Sequence, residues 1–202
     1  MSTPRDLLIV AWDIESNGQV RQGDLSLALA GAELIDLLSA RTIALDGDRV
    51  VPGPSPAPDD PLLQAAASSL VREEPYESVD DWLWRRGRDL TSAYVAALEA
   101  EAEPQPTQPK RSRRPFRTGG VRVPADSPDR RRAADRWAWH EPVLAALAAA
   151  VGVHDESAVD SSNVPDDVTA VLAAVGDAEM ELEAVRQRRT IEDAAFDNIW
   201  RG

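Results

Sequence analysis

The 202-residue chain carries two histidines, His140 and His154, one lysine, Lys110, and no cysteine. Imidazole ligation of a metal calls for a second histidine or cysteine at ligand spacing, and neither histidine has one. His140, just before Glu141-Pro142, reads as a helix start or a surface residue, and His154-Asp155-Glu156 offers no more. Lys110 lacks the preceding glycines of a phosphate-binding loop, and no Gly-x-Ser-x-Gly elbow occurs. The paired carboxylates Asp80-Asp81 and Asp166-Asp167 fall at expected helix starts, where they offset the helix dipole. No catalytic residue, metal or cofactor is therefore expected, and the absence of cysteine excludes disulfides and thiolate sites.

What remains is the chemistry of arginine. In Asp81-Trp82-Leu83-Trp84-Arg85-Arg86-Gly87-Arg88, indoles stand beside guanidinium groups. That pattern suits either contact with anionic head groups or stacking of arginine on tryptophan. The plainer reading buries Trp82 and leaves Arg85 and Arg86 in water. A second basic feature is a stripe formed by Lys110, Arg111, Arg113, Arg114, Arg117, Arg122, Arg130, Arg131, Arg132 and Arg136, opposed only by Asp126, Asp129 and Asp135. The whole chain has 35 acidic and 22 basic residues, a net charge of −13, so this stripe of local charge +7 sits on a body of −20. The overall sign argues against broad nucleic-acid binding. The stripe itself has two readings: a surface for phosphate-bearing lipid, worth on the order of 1 kcal/mol per basic residue near an anionic membrane, or a loop that neutralises the acidic body or a partner subunit.

These groups must be held by a mainly helical scaffold. Thr3-Pro4 starts a helix carrying Leu7, Leu8, Val10, Ala11 and Trp12 and broken by Asn17-Gly18. Asp24 is placed to cap a second helix, whose apolar residues from Leu25 to Leu38 leave hardly any polar face and so predict a central, buried position. Gly31 within it predicts a close crossing by a neighbour. Thr42 to Leu45 and Arg49 to Val51 flank Asp46-Gly47-Asp48, a hairpin signal. Prolines between 52 and 61 mark a surface loop. Helical patterns follow at 61–71, 78–86 and 88–103; the Pro, Gln and Thr-rich run 103–114 reads as an exposed polar and basic loop, and Phe116 to Val123 around Gly119-Gly120 as a second hairpin. Helices are expected at 127–139, from Pro142, at 165–175 and at 177–200, which makes about nine helices in one domain over residues 3–200. No run reaches the ~18 apolar residues of a bilayer span, and the N-terminus has no secretion signal. A cytoplasmic location is expected, peripheral at most on the inner face of the membrane.

The order of these signals resembles the Golgi phosphoprotein 3 (GPP34) family. Arg5-Asp6-Leu7-Leu8-Ile9-Val10-Ala11 is similar to its opening helix, Leu29-Ala30-Gly31-Ala32-Glu33-Leu34-Ile35-Asp36-Leu37 to its glycine-containing central helix, and Arg41-Thr42-Ile43-Ala44-Leu45 to the strand that follows. Glu77-Ser78-Val79-Asp80-Asp81-Trp82-Leu83 and Pro142 to Val151 extend the likeness across nearly the whole chain, and the arginine and alanine usage looks like that of a bacterial member. The resemblance implies a mostly helical fold, no catalysis, and peripheral membrane association through a phosphatidylinositol 4-phosphate head group. The family's head-group tryptophan falls at Arg21 and its first arginine at Ala30, while its later arginine pair falls near Arg88 and Thr91. Arg21, Arg88, Arg85 and Arg86 are accordingly the candidate head-group contacts. The family's self-associating hairpin would correspond to 116–123, and protein partners are expected but not identifiable. The competing expectation is a soluble helical interaction or regulatory protein that keeps the fold and has lost lipid binding.

Overall fold

The chain is described by a computed structural model covering residues 2–14, 20–102, 127–153 and 164–200. Its elements in order are α1 (Thr3–Ile14), α2 (Gln22–Ser39), β1 (Ile43–Asp46), β2 (Arg49–Pro52), α3 (Pro61–Ser68), α4 (Val79–Arg86), α5 (Leu90–Ala102), α6 (Pro128–Ala138), α7 (Pro142–Ala150) and α8 (Asp166–Trp200). The fold is mainly α, with one two-stranded antiparallel sheet among the described residues. In that hairpin Asp46 pairs with Arg49 and Ile43 with Pro52, and Gly47 supplies the positive φ of 62° at the first turn position. The second hairpin expected at 116–123 and the loop expected at 103–114 lie outside the described residues.

α2 is central because almost every side chain from Leu25 to Leu38 is apolar, and nearly all are buried. α1, α3, α4, α5, α7 and α8 all pack on it. α1 contributes Leu7, Leu8 and Ile9, and α8 contributes Val168, Val171, Val175 and Ala178, to one continuous core. α6 lies outside this ring, packed on α1 and α7. Its position is set by charge as much as by apolar contact, since only Ala133 of α6 is fully buried.

Three sequence expectations need correction. Asp24 is not the cap of α2; it sits in the first turn, Arg21 is the N-cap residue, and that cap makes no side-chain hydrogen bond. α5 begins at Leu90 rather than at 88, after a turn in which Asp89 takes the left-handed conformation, φ 54°. The two terminal helices expected on either side of Gly176 are one helix, α8, which explains why eight helices are found among the described residues where nine were expected. Gly176 does not break α8 because packing of Val171, Val175 and Ala178 on the core holds the helix through it. α3 ends at Ser68, short of the expected 71, whereas two starts agree closely: Ser78 caps α4 through a bond from the Asp81 N–H, and Ser127 caps α6 through the Arg130 N–H.

At Gly31, α2 and α8 approach closely. A Cβ built there would overlap Cγ2 of Val175, a β-branched side chain with little freedom to turn away. Gly31→Ala is therefore expected to lower the unfolding free energy by about 1–3 kcal/mol, although alanine is the better helix former. Urea denaturation checks this, and a second change, Val175→Ala, should recover part of the loss; a stabilised Gly31→Ala variant would show that the two helices do not meet here.

Candidate anion-binding cleft

The arginines of the 81–88 segment divide sharply once α4 is in place. Trp82 is fully buried, its Nε1 donating to the Ala30 carbonyl at 3.3 Å. Arg85 lies over the Trp82 ring, 5.2 Å from its centroid, and donates from Nε and Nη2 to the two carboxylate oxygens of Glu77 at 2.6 and 2.7 Å. Arg86 reaches inward to Glu33, which has no solvent exposure, with bonds of 2.8 and 2.9 Å. The Tyr94 hydroxyl completes the cluster by donating to Glu33 Oε1 at 3.1 Å. Burial pushes the Glu33 carboxyl up, and the bonds from Arg86 and Tyr94 pull it back. The plainer reading holds for Trp82, which is buried, and in part for Arg85, which is exposed although paired with Glu77; it fails for Arg86, which turns inward. Both arginines are committed to carboxylates, which withdraws them from the groups available to an anionic ligand.

Arg88 behaves differently. It follows Gly87 in the α4–α5 turn, is exposed, and makes no hydrogen bond or ion pair among the described residues. It lines a cleft of about 340 Å³ with Gln22, Gly23, Ser26, Trp84 and Leu182. One wall is the first turn of α2, whose N-terminal amides have no side-chain cap. Orphan amide donors at a helix start carry partial positive charge, so this wall favours an anion. Arg21, the N-cap residue, stands at the same end of α2 and is tied to Glu183 of α8. The other two positions singled out by resemblance are interior: Ala30 is fully buried, and Thr91 is buried with its N–H and hydroxyl engaged by Ser26 Oγ at 3.1 and 2.8 Å. Of the four positions, 21 and 88 are thus brought to one surface region, while 30 and 91 are packed inside.

The basic stripe is only partly within the described residues. Lys110, Arg111, Arg113, Arg114, Arg117 and Arg122 lie outside them. On α6, Arg132 and Arg136 converge on Asp6 of α1, a carboxylate with no exposure, with shortest bonds of 2.9 and 2.7 Å. Arg130 pairs with Asp13 at 2.6 Å. Here the second reading of the stripe holds for three of its members, which neutralise acidic residues of the same body. Arg131 alone of the four is exposed with no partner among the described residues.

Sequence reasoning did not single out the acidic groups that organise these arginines. Glu33 was detectable in principle, since a charge on a helix without a polar face must find a buried partner. Glu179 was not. It faces the first turn of α2 from α8, and its Oε1 is buried with no hydrogen-bond partner. Burial, and then the nearby Asp24, push its carboxyl up to about 8, against the opposing pull of Arg186, which bonds Asp24 at 2.7 Å.

A helical domain wound round one buried helix, with a cleft at that helix's start lined by Arg88 and Asp89, defines the class. The chain belongs to the family described as Golgi phosphoprotein 3 (GPP34), whose model matches residues 4–193. Neither a curated protein nor a solved structure matches it. Among the described residues no cluster of titratable side chains is arranged to hold a metal ion, and no helix is long and apolar enough to cross a membrane.

Two measurements follow from these buried carboxylates. Arg86→Met strands the Glu33 charge and should cost about 3–5 kcal/mol, whereas Glu33→Leu combined with Arg86→Met should cost much less; a urea double-mutant cycle reads the difference. Glu179 is protonated more readily folded than unfolded, so its stabilising contribution is complete below its unfolded value of 4.5 and is lost as pH rises to about 8. Melting curves of Glu179→Gln should be flatter than wild type across that window, and parallel curves would remove Glu179 from the account.

Proposed function

We propose that this protein is a non-enzymatic, peripheral membrane-associating adaptor that binds the phosphate of an anionic lipid head group in the cleft between the start of α2 and the α4–α5 turn. One observation carries the reading: the uncapped N-terminus of α2 and the unpartnered guanidinium of Arg88 converge on the same cleft. Amide donors and a guanidinium lining one cleft suit a tetrahedral phosphate. The cleft volume of about 340 Å³ is of head-group size. Arg21 is the second cation, available once its exposed pair with Glu183 opens; such surface pairs are held by ~1 kcal/mol or less. Family membership supports the same partner class. The segment 110–122 would add attraction that needs no pocket.

A second reading, a soluble interaction protein of the same fold, is favoured by the burial of positions 30 and 91 and by the tie between Arg21 and Glu183. Vesicle co-sedimentation separates the two. At low salt the wild type should pellet with phosphatidylcholine vesicles containing phosphatidylglycerol or phosphatidylinositol 4-phosphate, and remain in solution with phosphatidylcholine alone. Arg88→Glu should weaken binding about 5-fold or more without altering the melting temperature, given about 1 kcal/mol per basic residue near the surface. Preference for the phosphoinositide over phosphatidylglycerol would identify a head-group pocket. Wild-type protein left in the supernatant by every anionic vesicle would leave the soluble reading in possession.

A further inference from the structure

The outer face of α6 carries the most exposed large apolar side chain among the described residues, Trp139, at 84 % exposure. It is not on a loose tail. Trp139 is the C-cap of α6, its N–H bonded to the Asp135 carbonyl at 3.0 Å, and the chain then turns through His140 in the left-handed conformation, φ 51°, and through the Glu141 N–H bonded to the Arg136 carbonyl at 3.1 Å. Side chains on a helix lean toward its N-terminus. The indole lines, with Pro128, Arg131, Arg132, Asp135, Arg136 and Glu141, an open groove of about 600 Å³ along α6. A rigidly presented, solvated indole of this kind marks a contact surface.

We infer that this face pairs with the same face of a second copy of the chain, α6 against α6 in antiparallel register about a two-fold axis. The order of residues along the groove carries this. Pro128, Arg131, Asp135 and Trp139 recur at three- and four-residue spacing and so share one stripe of the helix. Folding that stripe back on itself about position 133 sets Arg131 of one copy opposite Asp135 of the other, and Trp139 of one copy near Pro128 of the other. The two charged side chains that would meet are both exposed, and neither side chain makes a hydrogen bond or ion pair among the described residues. A two-fold contact requires a surface complementary to itself, and the stripe is so in charge and in the apolar contact at each end. The like charges nearest the axis, Arg132 of each copy, are already neutralised by Asp6 and Asp129. One helix face of eleven residues spans about 16 Å, so the contact is at the small, transient end of protein interfaces. The inference stands apart from the lipid reading, whose cleft is formed by α2, α4, α8 and the α4–α5 turn.

The test is charge exchange read by sedimentation velocity on the full chain, without lipid, from about 20 to 500 μM, the range a weak interface requires. Wild type should show a monomer–dimer equilibrium. Arg131→Asp or Asp135→Arg alone should raise the dissociation constant about 10-fold, because like charges then face each other. Arg131→Asp with Asp135→Arg should return it to within about 3-fold of wild type, and Trp139→Ala should raise it about 10-fold, consistent with loss of an aromatic anchor. Ala133, the residue of α6 that packs in the core, is untouched in all four variants, and circular dichroism melts establish that each is folded. A chain monomeric throughout the range would overturn the inference. So would self-association insensitive to Trp139→Ala and to the single reversals, which would assign it to another surface, or a double reversal that fails to restore pairing.

Discussion

Burying one charge, Glu33, in the middle of a helix packed on every side is the constraint on which the rest of the arrangement depends. α2 has no polar face to which that carboxylate could retreat. A buried carboxylate without partners would cost several kcal/mol, so α4 and α5 must approach with Arg86 and Tyr94 in defined positions. That requirement fixes where α4 ends. The α4–α5 turn then follows directly, and with it the placement of Arg88 at the start of α2. The candidate cleft is thus a product of the core's electrostatics rather than of a loop shaped independently for binding.

The same logic recurs on the other side of α1. Asp6 is buried, and Arg132 and Arg136 close over it from α6. Here the ion pairs substitute for the apolar face that α6 lacks. Such pairs contribute more to the uniqueness of docking than to net stability, since their desolvation offsets much of the attraction. They also alter how the local charge is to be read: a run that is basic in sequence presents to solvent, over α6, one uncommitted arginine and one uncommitted aspartate.

The helical class, the central position of α2, the close crossing at Gly31 and the hairpin at Gly47 were legible because each rests on a local pattern: apolar periodicity, a small residue in a crowded helix, a β-branched pair around Asp-Gly. What was not legible is long-range pairing. Nothing near Arg86 in the chain indicates that its partner is Glu33, 53 residues away, while Arg88, two residues on, has no side-chain partner among the described residues. Residue type and spacing therefore identified the right segment without separating the arginines within it. The reading of Gly176 as a break failed for a related reason: helix propensity is local, and the packing of Val171 and Val175 that overrides it is not.

Val175 and Gly176, neighbours in α8, stand under opposite constraints. The first meets the bare backbone of Gly31; the second faces space in which an added Cβ would touch nothing. In a drifting lineage, position 176 is therefore free to accept alanine and gain helix propensity, whereas 31 and 175 can change only in step, the one growing as the other shrinks. Adjacent sites in one helix thus evolve on different schedules, with the pacing of one set by a residue far away in the chain.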